Sequence, residues 1–564
     1  MTMGRFTGLI SALVLVIAST AVAPASASTS PDQNPSNFFE LTPVAHDVGP
    51  SIATAPRSDH ARDPQTVVPL LQPGGGSGGG TAATTSDGAL QTSVSATPLG
   101  ATVGVNVDGV GVGLGSYTDC CTPPDTNLAV SPTQVVQWVN LDFAVFDRTT
   151  GSLLPGYPKA GNSIWSGNSI WSGFGGQCET SNSGDPIVKF DAQAQRWFMT
   201  QFAVSSKPYL QCFAVSTGSD FTTTTWNRYA YSFGSNFPDY PKAGVWAAPG
   251  LTGPGLTGGA YFMSFNLFKG GTSFGGAAAC AFNRGAMIAG TSATGQCFNL
   301  GRSVASLLPG DLDGAGANGA AGTTLPPPDV TTDVFANFGT NVLNLWKMHV
   351  NFATSANTTI TKLPSVATAA FSTACGGGTC IPQANTAQQL DSLGDRLMYR
   401  LAYRNFGDHE SLVVTHSVTG SGTAAPRWYE LRSNPVGTFN YAMYQQGSYA
   451  PTSDYRWMGS AAQNELGDLA IGYSASSSTI SPQIRYTGRV AAVDPLGQLR
   501  AEATVALPST GSNTGPYSRW GDYSSMVTDP LDDCTFWYTN EYLKQNGGSF
   551  TWSTHIVSFK FSNC

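Results

Sequence analysis

GDPIVKF, residues 184–190, sets a charged, turn-forming cluster directly against an apolar strand. The same arrangement returns in PDYPKAGVW at 238–246, GDRLMYRLAYR at 394–404, YRWMGSAA at 455–462 and SRWGDYSSM at 518–526. Each reads as the start of a new sheet. Gly, Pro and Asp break the preceding strand, and the β-branched and aromatic residues that follow favour an extended backbone. The starts recur at intervals of roughly 50 to 70 residues, the spacing of a radial array of four-stranded blades that bury their faces against one another. Starts near Asp125, Asp185, Asp239, Pro328, Asp395, Arg456 and Arg519 predict an all-β fold, a β-propeller of seven blades.

Between the starts lie short β-branched or aromatic runs such as RWFMTQFAVS, AYFMSFNLF, SLVVTHSV, DLAIGYSAS and TWSTHIVSFKF, bounded by Gly, Pro, Asn, Asp or Ser. Long helices are not expected. A pair of β-sandwiches would also show many short strands, but repeated starts at similar spacing favour the propeller. The hexapeptide NSIWSG occurs twice in tandem, at 162–167 and 168–173. Insertion in a loop costs less than insertion in a strand, so the duplication is assigned to a loop.

Working outward to the N-terminus, Arg5, an apolar run from Leu9 to Val22 and Ala25-Ser26-Ala27 form a secretory signal, residues 1–27. The run is short for a bilayer and no second one follows, so no membrane span is expected. Residues 28–116 are rich in Gly, Ser, Thr and Pro and include GGGSGGG at 74–80. They are expected to form a disordered leader, because so little apolar surface cannot offset ordering entropy. The propeller is assigned to 117–564.

Ten cysteines in an exported chain point to disulfides. Cys375 with Cys380, Cys280 with Cys297, Cys534 with Cys564 and Cys178 with Cys212 are the expected pairs, while adjacent Cys120 and Cys121 are not expected to bond to each other. Charged residues are 11% of the chain, 27 basic against 35 acidic, for a net charge of −8. That disfavours nucleic acid as a partner, since phosphate binding needs clustered Lys and Arg.

PPDTNLAV, GDPIVKFDAQAQRW, FPDYPKAGVW, LDSLGDRLMYRLAYRNFGDHESLVVTHSV, YRWMGSAA, IRYTGR and SRWGDYSSMVTDPLDDCTFWYTNEY resemble, in that order, a widespread group of exported bacterial proteins. The resemblance spans Cys120 to Cys564 and implies a propeller-like β domain without supplying catalytic residues. A looser similarity is to sialidases, whose S-x-D-x-G-x-T-W repeats are missing. GGSFTW from Gly547 keeps Thr551 and Trp552 but has Ser549 where the repeat has Gly.

In a propeller the innermost strands begin at one face, so residues at the starts converge on a central funnel. Asp185, Asp239, Asp522 and Glu541 are the carboxylate candidates for acid and base in glycoside cleavage. Tyr523 or Tyr542 with His416 is the alternative set, for removing the proton beside a uronate carboxylate. Arg396, Arg456 and Arg519, with Lys242 and Trp520, are the ligand-binding candidates, because forked guanidinium donors suit carboxylates and sulfates. Asp and Arg at strand starts also cap turns and pair between blades, which is the structural alternative for every one of them. No cofactor is expected. The acidic turns DLDG from Asp311 and DPLDDC from Asp529 have oxygen ligands that suit calcium but complete no calcium loop, and solvated turns are expected. The sequence therefore reads as a secreted propeller engaging an extracellular glycan or cell-surface component at its funnel, with hydrolysis or elimination of an acidic polysaccharide as candidate reaction. A non-catalytic surface or matrix module is the competing reading.

Overall fold

The computed structural model describes residues 1, 37–53, 55, 57, 66–67, 70–71, 86–115, 117–162, 170–247, 258–313, 327–505 and 511–564. The expected signal peptide beyond Met1, the GGGSGGG run and most of the NSIWSG duplication lie outside these residues. Among the described residues the chain is all-β, with two short α-helices, Gly176–Thr180 and Arg284–Ala289.

Seven antiparallel meanders follow one another along the chain. Their first strands are Asn127–Val130, Ile187–Asp191, Asn236–Trp246, Leu308–Leu312, Leu397–Asn405, Tyr455–Gln463 and Ser525–Thr528. Each first strand contacts those before and after it, and Ser525–Thr528 contacts Asn127–Val130, so the seven stand in a closed ring. The fourth and fifth also pair in parallel, Gly310 opposite Leu401 and Leu312 opposite Tyr403. The fourth meander begins at Leu308, which corrects the expected start near Pro328. Thr332–Gly339, after the Pro-rich cluster, is that meander's second strand, and the short LPGDL run gave too little apolar signal to be read as its first.

Sheets covered on both faces need no polar alternation, and many inner strands show none, whereas outer strands such as Pro43–Gly49 alternate. Gln134–Val139 is buried throughout, and Ala260–Lys269 is buried except at Lys269. Between the first two meanders Trp138, Trp197, Trp226 and Phe221 form one contiguous apolar cluster. Full burial of such a ring contributes on the order of 2–3 kcal/mol. Three of the first strands depart from regular pairing in the same way. Register shifts fall between Asp239 and Lys242, between Met398 and Ala402, and between Trp457 and Ser460. A bulge turns intervening side chains away from the regular faces, and here the intervening residues include Tyr240, Tyr399 and Arg400.

The leader is not disordered throughout, which corrects that expectation over five segments, one of them Thr66–Val67 against Cys121–Thr122. Phe38–Leu41 pairs with Gly295–Asn299, Pro43–Gly49 with Trp226–Gly234, and Leu90–Gln91 with Tyr441–Tyr449. Ala101–Asp108 pairs with Ser553–Phe561 and supplies the fourth strand of the seventh meander. Composition missed this because an edge strand is held by backbone hydrogen bonds to an open sheet, which require little apolar surface of its own. The seam is sealed by side chains as well. Asp108 accepts hydrogen bonds from Tyr542 at 2.7 Å and Lys544 at 2.6 Å.

Four disulfides join the expected partners: Cys178–Cys212, Cys280–Cys297, Cys375–Cys380 and Cys534–Cys564. Cys120 and Cys121 bond to each other, against expectation, and no free cysteine remains. With the other eight committed, each of the two is the other's sole available partner. No helix among the described residues is long and apolar enough to cross a membrane.

Candidate functional site at the ring axis

The ring has an upper face, where the first strands begin, and a lower face, where they end. At the upper end the structure brings together Asp125, Asp185, Asp239, Lys242, Asp395, Arg396, Arg519 and Asp522 around Tyr240 and Tyr523. The Asp522 backbone N–H donates to Asp125 Oδ1 at 2.8 Å, which links the seventh meander to the first. Arg519 Nη2 binds Asp522 Oδ1 at 2.6 Å, and Arg396 grips its neighbour Asp395 through Nε at 2.8 Å and Nη2 at 3.0 Å. The Lys242 ammonium lies 3.5 Å from the centre of the Tyr240 ring and 4.0 Å from that of Tyr523. The Tyr523 hydroxyl donates to the Pro186 carbonyl at 3.1 Å and the Tyr240 hydroxyl to the Asp522 carbonyl at 3.4 Å. Both hydroxyls thus point across the axis to another meander.

This cluster is closed. Asp125 and Lys242 are 0% exposed and Asp239 is 9% exposed, while Asp395 is half-buried. Beside it the hairpin of Thr379–Ile381 and Leu390–Asp391 packs on Trp457, Met458 and Trp520 through Ile381 and Leu390. Burial, reinforced by neighbouring carboxylates, raises Asp125 and Asp239 well above the usual carboxylate range. Burial also pushes Asp185 up to about 6, against the pull of Lys242. Burial drives Lys242 down to about 8, opposed first by Asp185. Asp125, Asp185 and Tyr240 hold left-handed backbone angles, φ 51°, 43° and 54°. Such residues cost on the order of 1 kcal/mol each and persist where surrounding contacts fix them.

The column continues downward. Tyr399 lies 6.0 Å from Tyr523, ring centre to ring centre, and the Lys189 ammonium is 4.8 Å from the Tyr399 ring. Lys189 is bonded to Asp311. Arg400 Nε is 2.6 Å from Asp311, and its Nη2 is 2.6 Å from Asp313. Here the axis opens into a cavity of about 60 Å³, whose walls come from six of the seven first strands and the residues just after them. Lys189, Asp191, Asp311, Asp313 and Arg400 are its charged lining, with Val130, Val245 and Thr528 between them; Asp191 is already ion-paired to the buried Arg284. Burial pushes the Lys189 ammonium down to about 8, with Asp311 opposing. Asp313 Oδ2 is buried without a hydrogen-bond partner among the described residues. Apolar walls with a few convergent polar groups and a perturbed amine are the general marks of a binding site.

Of the sequence candidates, Asp185, Asp239, Asp522, Tyr523, Lys242, Arg396 and Arg519 do converge, though in the closed upper cluster. Glu541 is close by, accepting the Gly521 N–H at 2.8 Å, and burial raises its carboxyl well above the usual range. Arg456 is not part of the axis. It lies among outer strands, bound to Glu502 at 2.7 and 2.8 Å, because its side chain points outward along Tyr455–Gln463. His416 is likewise removed from the axis. Its ring packs against Phe338 at 4.9 Å and Phe371 at 4.7 Å, and Nε2 meets the Tyr429 hydroxyl at 2.9 Å. Burial lowers it well below the usual histidine range, so it is a neutral core residue. Trp520 binds no ligand at an open surface, being fully buried with Nε1 donating to Ser474 at 3.0 Å. Asp311 is no solvated turn, since two cations hold it inside a strand. Asp529 is likewise buried and ion-paired to Arg148 at 2.7 Å.

Lys189, Tyr399 and Arg400 were missed. Their signal was a charge inside a continuous apolar run, IVKF and LMYRLAYR, in a chain with few charges.

No family model matches the chain, and no curated protein matches it. Among solved structures, one described as a new family of polysaccharide lyase, PL25, an ulvan lyase, is 10% identical with a TM-score of 0.25, covering 80% of this chain and 85% of that one. A second, described as the same lyase bound to -[GlcA(1-4)Rha3S]-, is 10% identical with a TM-score of 0.24, covering 80% of this chain and 84% of that one. Likenesses at these scores carry no argument about reaction.

Proposed function

We propose that the protein is a secreted, seven-bladed β-propeller that engages an acidic extracellular polysaccharide at the lower mouth of its axis. The observation that carries this reading is the cavity built by six first strands around Lys189, Asp311, Asp313 and Arg400. Its size admits one carboxylate- or sulfate-sized group and a few waters, so a pendant anionic group enters and the sugar ring lies across the mouth. The proposed reaction is elimination. The Lys189 amine, titrating near 8, takes the proton beside the uronate carboxylate, and Arg400 neutralises the developing charge once the uronate displaces Asp313 from its guanidinium. The C–O bond to the glycosidic oxygen breaks, that oxygen taking a proton from water and leaving an unsaturated uronate. Ten cysteines paired in five disulfides support an oxidising, extracellular setting.

A second reading draws support from the closed upper cluster. If the whole axis is a structural hub, the protein is a non-catalytic surface or matrix module. A screen of the secreted protein against acidic and neutral polysaccharides, reading reducing ends and the absorbance of unsaturated uronate, separates the two. Elimination that is lost in Lys189→Met supports the lyase, whereas Lys189→Met acting like wild type removes Lys189 as base. Binding without cleavage favours the module. Neither binding nor cleavage of any acidic polysaccharide ends the axial reading.

A further inference from the structure

The seam where the ring closes carries a second feature. A groove of about 540 Å³ runs between the first and seventh meanders, lined by Thr102, Val103, Arg148, Thr150, Asp529 and Lys560 among others. It shares a wall with the axial cavity: Thr528 and Pro530 line the cavity, and Asp529 between them lines the groove. The acid in that wall is covered. Asp529 is 0% exposed, and it takes Arg148 at 2.7 Å, the Trp537 Nε1–H at 2.8 Å and the Leu531 N–H at 2.9 Å. Arg148 spends Nε and Nη2 on that carboxylate and keeps part of its side chain exposed at the groove. Lys560 is half-buried and stands on Ser553–Phe561, opposite Thr102 of the leader strand. The charges the groove presents outward are therefore positive, while the chain as a whole carries −8.

We infer that this groove is a second carbohydrate subsite, which takes an anionic group of the same acidic polysaccharide further along the chain. The inference rests on the axial reading above and extends it. Arg148 and Lys560 supply the cations, the threonine hydroxyls supply hydrogen bonds, and Val103, 46% exposed, supplies apolar contact for a sugar face. An acidic polymer is favoured over a neutral one because cations hold the positions that order it. It is favoured over a peptide because the groove offers no deep apolar pocket for a side-chain anchor.

The test is binding of acidic uronide oligomers of two lengths, one short enough for the axial cavity alone and one long enough to reach the seam. Lys560→Glu is expected to weaken the long oligomer about tenfold through like-charge repulsion and to leave the short one unchanged. Arg148→Lys, which keeps a cation for Asp529 but removes the guanidinium fork, is expected to act in the same direction, and near-ultraviolet circular dichroism checks that each variant is folded. If folded Lys560→Glu binds both lengths as wild type does, or if wild type gains nothing from length, the groove is not a subsite while the axial reading stands. If wild type binds neither length, both readings fall.

Discussion

The ammonium of Lys242 sits 3.5 Å from the centre of the Tyr240 ring, and neither residue is open to solvent. A lysine is stable there because Asp185, Asp125, Asp522 and Asp239 surround it. Removing it leaves buried carboxylates without their cation, which costs about 3–5 kcal/mol in comparable sites. Lys242→Met is therefore expected to lower unfolding stability by that order in denaturant titrations. A loss of less than about 1 kcal/mol, the scale of an exposed pair, would show that the cluster tolerates its imbalance and is not what locks the ring.

Asp185 gives the same cluster a pH signature. Its carboxyl titrates at about 6 in the folded state against about 3.9 unfolded, so the folded state holds the proton more tightly. Stability from this group is full below about 3.9 and is lost as pH rises through 6. Asp185→Asn carries no such titration. The difference in stability, variant minus wild type, is expected to rise between pH 4 and about 6.5 and then level. A flat difference across that window would refute the assignment.

The leader strand Ala101–Asp108 is integral to the ring. Truncation to residue 109 removes the strand partners of His555 to Phe561 on that side and the Asp108 bonds to Tyr542 and Lys544. Such a chain is expected to be insoluble, with an open edge exposed. Truncation to residue 86 removes the edge strands Phe38–Leu41 and Pro43–Gly49 and the Asp47 partner of Arg228, but leaves the closing strand in place. It is expected to remain folded at a lower melting temperature. Equal behaviour of the two truncations would contradict a special role for the closing strand.

His416 separates a reactive histidine from a packed one. Wedged between Phe338, Phe371 and Tyr429, it acts as apolar filling with one polar contact. His416→Ala is expected to cost about 2–4 kcal/mol from the cavity it leaves, with glycan affinity per folded molecule unchanged. A variant of normal stability with abolished activity would restore it as a catalytic candidate.

What the sequence made legible follows from which signals are local. Turn clusters running into strands such as GDPIVKF carry their own punctuation, so six of the seven starts fall within a few residues of the observed first strands. The fourth was misplaced because Leu308–Leu312 is short and its importance comes from neighbours remote in sequence. Convergence of the start charges was readable, since a ring brings equivalent positions together. Whether they faced a ligand or one another was not, because the answer lies in long-range pairs such as Asp522 with Asp125. The lower cavity was harder still: bulges turn Tyr399 and Arg400 to the axis, and a register shift leaves little trace in a run that is apolar on both faces. Edge strands from a Gly- and Ser-rich leader were hidden because backbone pairing has almost no side-chain signature.

Lys189 carries the last prediction, and its sign differs from that of Asp185. A lysine titrating at about 8 when folded and about 10.4 when unfolded binds fewer protons in the folded state between those values. Stability therefore rises with pH across that window, and below about 8 the buried charge is a constant cost. Lys242, also at about 8, adds a similar slope, so Lys189→Met should keep part of the rise and lose the rest. If elimination occurs, its rate in wild type should climb through pH 8 as the neutral amine forms, and this limb should vanish in Lys189→Met without matching change in Lys242→Arg. A rate limb that survives Lys189→Met would move the base elsewhere. A stability slope that survives both Lys189→Met and Lys242→Arg would mean that neither amine is held as deeply in the axis as the column of rings and carboxylates implies.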